Sequence, residues 1–365
     1  MQQIRIQNKI QEIMSLNPMS ACLNCSLLLA FMLLLQTALG QYNFSEVDRI
    51  VAANKKSLGG KLVTLVAKDG KIIYKNEVGE DIKMEAAMPV GTSSKWFTAA
   101  LVMTFVDKKE LSLDDPVGKY LPAYASYSKG YITIRQCLAE VTGIESEQKK
   151  VVRLLQKKKF ASLEEEVNYY ASHKDIITQP GKEFFYGDVA YNTLGRVLEL
   201  VAKKKTFSKL MQERITKPAG MKKTSFLKDQ GSEDPSSGAI STAGDYIRFM
   251  TMLLNDGIAN GKQVLSKQSV EEMEKISFSG LPVKSAPKTA QGFHYGFGVW
   301  IQEADKNGKS MVVSCPGAEG AWPYLDRCRK YVCIVLTPQR DTDQEQRIFL
   351  QIKEEVEKQI KSECN

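Results

Sequence analysis

The sequence predicts an α+β fold in which an antiparallel sheet is assembled from both ends of the chain and flanked by helices. On the N-terminal side, "KLVTLVAKDGKIIYKNEV" alternates apolar and polar residues around Asp69-Gly70, a favoured hairpin turn pair. A mainly helical subdomain is predicted at roughly 110–255, and the last part of the chain returns to short strands. Strands at both ends with helices between them are typical of α+β proteins.

A long helix is predicted from Ser93 to Lys108, where apolar residues occur on nearly every side. A helix that is apolar all round belongs in the protein interior. Helical periodicity also covers "YNTLGRVLELVAKK" (191–204) and "STAGDYIRFMTMLLNDG" (241–257). The second of these segments opens with Thr242 and Asp245 at capping-box spacing, which predicts a helix start there.

The C-terminal part of the sheet is predicted to contain four strands before a final helix. The strands are "YGFGVWIQ" (295–302), "SMVVSCPG" (310–317), "AWPYLD" (321–326) and "KYVCIVLTP" (330–338), and the helix is "QEQRIFLQIKEEVEKQI" (344–360). The second strand contains Pro316, which has no N–H to donate to a ladder. Because such prolines favour edge positions, this strand is predicted to lie at a sheet edge.

The N-terminal residues 1–40 are predicted to be a secretory signal peptide. Residues 27–35, "LLLAFMLLL", form an apolar core, and Ala38-Leu39-Gly40 supplies small residues before a cleavage after Gly40. The apolar run is too short for a comfortable membrane span, so no stable span is expected after cleavage. Residues 41–365 then form one secreted or periplasmic domain; a retained signal anchor is the alternative.

Cysteine, histidine and charge content narrow the possible chemistry. Removing Cys22 and Cys25 with the signal peptide leaves five of seven cysteines, so at least one thiol is free or pairs between chains. Cys328 lies in a polar turn and is predicted to be exposed. The two histidines and the cysteine spacings match no zinc pattern, so no metal site, histidine-based triad or cofactor is predicted. The net charge of +8 is scattered and gives no indication of nucleic-acid binding.

The segment "PVGTSSKWFTAALVMTF" places a hydroxyl and a lysine one helical turn apart, at Thr92 and Lys95. A hydroxyl nucleophile without histidine needs another base, and the N–H groups of a helix N-terminus stabilise negative charge on the attacking oxygen. Elsewhere the S-x-x-K pattern occurs four times without opening a long buried helix, starting at Ser126, Ser146, Ser225 and Ser285. The alternative is that Thr92 is only a helix N-cap.

Several segments occur in an order that is more specific than any single motif. They are "TSSKWFTAALVMTFVDKKELSLDDPVGKYLP", "ITIRQCLAEVTGI", "QPGKEFFYGDVAYNTLGRVLELV", "KPAGMKKTSF", "SSGAISTAGDYIRFMTMLLNDG", "YGFGVW" and "CPGAEGAWPYLD". Together they span roughly residues 45 to 345. The chain resembles the serine β-lactamase and penicillin-binding-protein family, specifically its branch of class C β-lactamases, D-alanyl-D-alanine carboxypeptidases and esterases. The resemblance implies a β-lactamase/transpeptidase-like fold, although several motifs are degenerate.

Compared residue by residue, the resemblance assigns catalysis to three side chains. Thr92 stands where the family has its nucleophilic serine, Lys95 matches the motif lysine, and Tyr186 matches the tyrosine that shuttles protons with that lysine. The additional methyl group of Thr92 restricts χ1 and crowds the attack path. Asp188 stands where the motif usually has asparagine, and a carboxylate near Lys95 would favour the charged ammonium.

The strand motif of the family is also changed. Cys315-Pro316-Gly317 stands where the family has Lys-Thr-Gly or His-x-Gly, so the group that would hold a substrate carboxylate is missing. Cys315 is predicted to line the cleft beside Thr92, and Gly317 to let a substrate approach the strand. The resemblance implies that the backbone N–H groups of Thr92 and Ala318 form an oxyanion hole.

Two functions are consistent with these residues. The first is an exported hydrolase that forms an acyl-enzyme on Thr92 and acts on small esters, amides or peptides, including cell-wall-derived ones. Hydrolysis of β-lactams is disfavoured because the strand cation is missing. The alternative is a catalytically inactive protein that uses the same cleft to bind a cell-wall peptide or a protein partner. The changed motif positions favour the inactive protein, whereas Lys95, Tyr186 and Gly317 favour the enzyme.

Overall fold

The computed structural model describes residues 42–146, 160–203, 205–226, 233–277, 279–317, 319–338 and 343–364. The chain divides into two compact units, Met1–Glu46 and Val47–Asn365. Only residues 42–46 of the first unit are described, so the predicted signal peptide lies outside the described residues. The sheet and the candidate site belong to the second unit. Across the described ranges, no helix is both long and apolar enough to cross a membrane.

A run of helices separates the first strands of the chain from the last ones. The helices are α1 (Ser45–Ala53), α2 (Ser94–Asp107), α3 (Pro122–Ser126), α4 (Ile134–Leu138), α5 (Leu163–His173), α6 (Val189–Val201), α7 (Phe207–Met211), α8 (Ala243–Leu254), α9 (Lys267–Met273) and α10 (Asp343–Gln359). The strands are β1 (Leu62–Lys68), β2 (Lys71–Val78), β3 (Met88–Pro89), β4 (Phe184–Phe185), β5 (Ile240–Ser241), β6 (Ile258–Ala259), β7 (Lys262–Gln263), β8 (Val283–Ser285), β9 (His294–Tyr295), β10 (Trp300–Ala304), β11 (Ser310–Ser314), β12 (Ala321–Asp326) and β13 (Tyr331–Leu336). Short 3-10 turns lie at Gly91–Ser93, Val117–Lys119 and Lys288–Ala290.

Seven of the described strands form one sheet in the order β2-β1-β13-β12-β11-β10-β9. Every neighbouring pair in this sheet is antiparallel. Strand β1, from the N-terminal side, pairs with β13, from the C-terminal side, with Val63 opposite Leu336 and Lys68 opposite Tyr331. The predicted α+β fold, with a sheet built from both chain ends and a helical insertion, is therefore confirmed. The exact domain boundaries stay a prediction.

The central strands are nearly continuous apolar runs because the sheet interior is buried. All residues of β12 and β13 are buried, and β1 is buried except for its last residue, Lys68, which is partly exposed. Helix α8 packs against β13 and β1, and Phe349 of α10 contacts Trp322 of β12 at 5.1 Å between ring centroids. Each fully buried Val, Leu or Ile contributes about 1.5–3 kcal/mol, so burial in this layer stabilises the fold.

Two of the strand predictions are wrong. Strand β11 ends at Ser314 and lies between β10 and β12, so it is not an edge strand. Its pairing with β10 ends where Ser314 lies opposite Trp300, so the missing N–H of Pro316 interrupts no ladder on that side. The segment predicted as one strand at 295–302 forms two antiparallel strands, β9 and β10. The chain reverses between them around Gly298, whose φ is +71°.

Helix α2 is the buried helix that the sequence predicts. It begins at Ser94, and every residue from Ser94 to Phe105 is buried. The rings of Trp96 and Phe97 meet Phe249 of α8 edge-on, with centroids 5.8 Å and 4.7 Å apart respectively. Packing on all sides makes α2 a rigid support for the turn that precedes it.

A disulfide joins Cys328, in the turn after β12, to Cys364 near the C-terminus, with the Cα atoms 5.0 Å apart. The prediction that Cys328 is exposed is wrong, because the residue is only 5% exposed. Among the other described cysteines, Cys137, Cys315 and Cys333 are free and buried. The polar turn sequence indicates an exposed residue, but Cys328 is bonded to Cys364. A pairing between residues so far apart in the chain cannot be predicted from the local sequence pattern.

Replacing Cys328 and Cys364 together by Ser is expected to lower the free energy of unfolding by about 2–4 kcal/mol, because the cross-link restricts the unfolded chain. Urea unfolding with and without a reducing agent measures the change. Reduction should destabilise the wild type by a similar amount and leave the double variant unchanged. Equal stability in all four samples would show that the two thiols do not pair.

Candidate active site

Thr92 lies in the 3-10 turn Gly91–Ser93, directly before α2. Gly91 begins this turn with a φ of +54°, and a Cβ there would lie 2.8 Å from the side chain of Glu319. The Thr92 hydroxyl donates a long hydrogen bond of 3.4 Å to the carbonyl oxygen of Pro316. The alternative that Thr92 is the helix N-cap is wrong, because Ser93 occupies that position and makes no side-chain capping bond.

Two buried serines hold this turn in place. The Ser94 hydroxyl donates to the carbonyl oxygen of Gly91 at 2.6 Å and accepts from the N–H of Ala239 at 2.9 Å. The Ser93 hydroxyl donates to the carbonyl oxygen of Cys315 at 2.5 Å. Both serines are completely buried. Their hydroxyl groups are therefore structural, and neither replaces the threonine as a nucleophile.

Lys95, one helical turn after the predicted nucleophile, is completely buried. Its Nζ donates to Glu140 Oε1 at 2.7 Å and to the carbonyl oxygen of Gly187. The same Nζ lies 4.6 Å from the ring centroid of Tyr186 and 4.4 Å from that of Tyr191. A buried ammonium needs partners of this kind, because an unpaired charge in the interior carries a large desolvation penalty.

Glu140 is a site residue that the sequence interpretation missed. It follows α4, is 1% exposed, and pairs with Lys95. Burial raises the pKa of the Glu140 carboxyl to about 7, and Lys95 opposes part of this increase. A signal was present in the sequence, since this glutamate interrupts the mainly apolar "CLAEVTGI". Buried carboxylates are rare unless they are paired, so a charged residue in such a segment indicates a partner.

Asp188 is exposed and occupies the N-cap position of α6 without making a capping bond. Its Oδ1 accepts a hydrogen bond of 2.6 Å from the hydroxyl of Ser236. The carboxylate partner of Lys95 is therefore Glu140 rather than Asp188, which corrects the expectation from the sequence. The negative charge of Asp188 still acts on the network, because it adds to the increase in the Glu140 pKa.

Tyr186 follows β4, and its hydroxyl oxygen is buried although part of the residue is exposed. No hydrogen bond of acceptable geometry reaches this hydroxyl from the described residues. Burial raises the Tyr186 pKa well above its ordinary value, with smaller increases from Cys315 and Glu140. The polar groups of Thr92 and Trp300 are near enough to oppose that increase. Packing alone does not explain a buried hydroxyl without a partner, so this hydroxyl is a candidate for a functional role.

The segment after β11 packs directly against the Thr92 turn. Cys315 Sγ lies 3.6 Å from the carbonyl oxygen of Thr92, but the residue is 1% exposed. Burial raises the pKa of this thiol to about 12, so it is not a nucleophile at neutral pH. A Cβ at Gly317 would lie 2.1 Å from the carbonyl oxygen of Val90, so packing requires a glycine there. Ala318 lies outside the described residues, and its part in an oxyanion hole stays a prediction.

The structure thus brings Thr92, Lys95 and Tyr186 together at the start of α2. The helix N-terminus and the Tyr186 phenol both lie beside the Thr92 hydroxyl, and the ammonium of Lys95, paired with Glu140, lies over the phenol ring. Such a site is suited to transfer of an acyl group to a hydroxyl. The fold and this arrangement are similar to those of the serine hydrolases that pair a hydroxyl at a helix N-terminus with lysine and tyrosine.

The chain belongs to the β-lactamase family, matching the family described as Beta-lactamase over residues 47–355. Protein Rv1367c of Mycobacterium tuberculosis is 24% identical over 344 residues, which covers 75% of this chain and 84% of the relative. The D-alanyl-D-alanine-carboxypeptidase/endopeptidase AmpH of Escherichia coli K12 is 21% identical over 262 residues, covering 66% and 67%. A crystal structure of a Bacteroides dorei protein assigned as a β-lactamase is 26% identical with a TM-score of 0.74, covering 83% and 92%. The family and fold that the sequence predicts are confirmed.

Proposed function

We propose that this protein is a hydrolase that forms an acyl-enzyme on Thr92, with Tyr186 relaying protons and Lys95 stabilising charge on the phenol. The observation that carries the proposal is the buried Tyr186 hydroxyl, which lies beside the hydroxyl of Thr92 and makes no hydrogen bond of acceptable geometry with the described residues. Proton transfer requires such a group within reach of the nucleophile, and a group already satisfied by the protein would be less available.

In the proposed acylation step, Thr92 Oγ1 attacks the carbonyl carbon of the substrate. The Tyr186 oxygen takes the proton from Thr92 and gives its own proton to the leaving group, so the phenol is regenerated. The Lys95 ammonium lies 4.6 Å from the centre of the Tyr186 ring. It assists release of the phenol proton to the leaving group, because it stabilises the partial negative charge left on the phenol until the Thr92 proton arrives. Water then releases the acyl group by the same proton transfers in reverse.

The proposed substrates are small esters, amides or peptides, including those derived from the cell wall. AmpH, a relative, is named as a carboxypeptidase and endopeptidase for D-alanyl-D-alanine, which supports peptide substrates. The buried Cys315 replaces the family's cation, which supports substrates that bind without a carboxylate anchor. We also propose export, since disulfides such as Cys328–Cys364 persist mainly in oxidising compartments.

A second candidate, a catalytically inactive protein that binds a peptide or protein partner, is favoured by one specific observation. The Lys95 Nζ hydrogen bonds in the described structure go to Glu140 and Gly187 and not to Thr92. A lysine tied in this way holds the cleft together but does not take a proton from the threonine. Labelling of Thr92 separates the two candidates.

Thr92→Ser is expected to react with a fluorophosphonate probe faster than the wild type, because serine keeps the oxygen and removes the methyl group that restricts χ1. Thr92→Ala should not react, and its free energy of unfolding should stay within about 1 kcal/mol because only one long hydrogen bond is lost. Intact-mass spectrometry after incubation measures the covalent adduct.

Thr98→Ala is the matched control, since its buried hydroxyl lies on α2, which follows the Thr92 turn, and donates to the carbonyl oxygen of Pro235. This variant should be labelled like the wild type. Labelling of Thr92→Ser alone would show that the site is assembled but blocked by one methyl group. No labelling of the wild type or of Thr92→Ser would contradict the hydrolase and favour the binding protein.

A further inference from the structure

Glu140 contacts the loop of Tyr186 on both sides of that tyrosine. The carbonyl oxygen of Glu140 accepts from the N–H of Phe185 at 2.8 Å, and its Oε2 accepts from the N–H of Gly187 at 3.0 Å. Its remaining carboxylate oxygen, Oε1, accepts from Lys95 Nζ at 2.7 Å. One residue therefore fixes the main chain before and after Tyr186 and also the lysine beside its ring.

The backbone of Glu140 adopts a conformation that glycine would adopt more readily. Its φ is +57°, in the left-handed region, directly after the end of α4. Helices commonly end with glycine in this conformation, because other residues carry a steric penalty there. Burying a carboxylate in the same residue adds a desolvation penalty. A helix end without a further role would avoid both the steric and the desolvation penalty. Residues held in unfavourable conformations of this kind cluster at functional sites.

We propose that Glu140 is a positioning residue, whose carboxylate holds Lys95 and the Tyr186 loop against Thr92 and balances the charge of Lys95. The proposal rests on the proposed function for its effect on catalysis, but its structural part does not require activity.

The protonation of Glu140 is expected to change near neutral pH, since burial raises the pKa of its carboxyl to about 7. Two charged side chains act on it, Lys95 from α2 and Asp188 from the start of α6. The other titratable groups that interact with it are neutral near pH 7 because burial raises the pKa of each; they are Tyr186, Tyr191, Tyr295, Cys137 and Cys315. A transition near neutral pH in this network therefore belongs to Glu140.

The test compares the wild type with Glu140→Gln and with Glu274→Gln as a matched control. Glu274 is also buried and pairs with Arg327 at 2.5 Å. In the described structure, neither of these two residues contacts the network of Lys95, Glu140 and Tyr186. Protein labelled with ¹³C-lysine is titrated from about pH 5 to 9, the range that brackets the Glu140 transition. The Lys95 signal is identified by its loss in Lys95→Arg.

The expected result is a change in the ¹³C chemical shift of Lys95 with a midpoint near neutral pH. This change should occur in the wild type and in Glu274→Gln, but not in Glu140→Gln. The rate of fluorophosphonate labelling at Thr92 should show the same transition and fall by about 10²-fold in Glu140→Gln, as for a displaced catalytic group. A wild-type Lys95 signal with no transition near neutral pH overturns the proposal, even where Glu140→Gln fails to fold. So does a transition that persists in Glu140→Gln. A wild type that shows the Lys95 transition without any labelling would overturn the proposed function and leave the positioning role supported.

Discussion

Lys95→Met is expected to lower the free energy of unfolding by about 3–5 kcal/mol at neutral pH, the range found when one partner of a buried ion pair is removed. Methionine has a similar length and fills the same space, so the change isolates the charge. Glu140 would keep its bond from the N–H of Gly187 but lose its cation while remaining 1% exposed. Urea unfolding at several pH values measures the effect.

The destabilisation by Lys95→Met should become larger as the pH increases. The Glu140 carboxyl has a pKa of about 7 in the folded protein, compared with an ordinary value of 4.5. A carboxyl with a raised folded-state pKa contributes stability that is fully present below the unfolded value and is lost as the pH rises through the folded value. Lys95 lowers the Glu140 pKa, so its removal raises that pKa further and widens the difference from the wild type above neutral pH.

A double variant, Lys95→Met with Glu140→Gln, provides the control. Because neither residue is then charged, the double variant should be more stable than the sum of the two single changes predicts, with an interaction energy of about 0.5–3 kcal/mol. It should also lose the pH dependence between about 4.5 and 7 that the Glu140 carboxyl produces. Additive changes, or a pH-independent loss in Lys95→Met, would show that the pair contributes little to stability.

Those parts of the fold that depend on local patterns could be predicted from the sequence. Helix α2 could be predicted because it is buried all round, so the apolar residues of Ser94–Phe105 lie on nearly every side of the helix. This pattern lies within one continuous segment of the sequence. The hairpin at Asp69-Gly70 depends on the turn residues and their immediate neighbours. By contrast, the reversal at Gly298 and the inner position of β11 depend on which strands meet, and that information is not local.

The candidate site, like the fold, could be predicted from the sequence only where it depends on local patterns or on the resemblance to the family. Thr92 and Lys95 lie on one helical turn, so their proximity follows from spacing, and Tyr186 follows from the resemblance of its segment to the family. The pair of Lys95 with Glu140 joins residues separated by 45 positions, and the disulfide joins residues separated by 36. Such partners are chosen by tertiary packing. A buried charge in the sequence indicates that a partner exists, but it does not identify it.

Tyr186→Phe is expected to reduce any hydrolysis by about 10²–10⁴-fold, the usual contribution of a positioned proton-transfer group. The same change should leave the free energy of unfolding unchanged or increase it, because the hydroxyl that is removed is buried and makes no hydrogen bond of acceptable geometry in the described structure. A buried polar group without a partner is unfavourable by about 1–3 kcal/mol, so its removal relieves a cost. Ester hydrolysis and thermal unfolding measure the two effects on the same sample.

Tyr124→Phe is the matched control, because it should have the opposite effects on hydrolysis and on stability. Tyr124 is also buried, but its hydroxyl makes a 2.6 Å hydrogen bond with that of Thr193. Its removal should lower stability by about 1 kcal/mol and leave hydrolysis unchanged. If Tyr186→Phe instead lowers stability and leaves hydrolysis unchanged, the Tyr186 hydroxyl is a structural group with a bound partner such as water. If hydrolysis falls while the free energy of unfolding stays the same or rises, the Tyr186 hydroxyl serves proton transfer rather than stability.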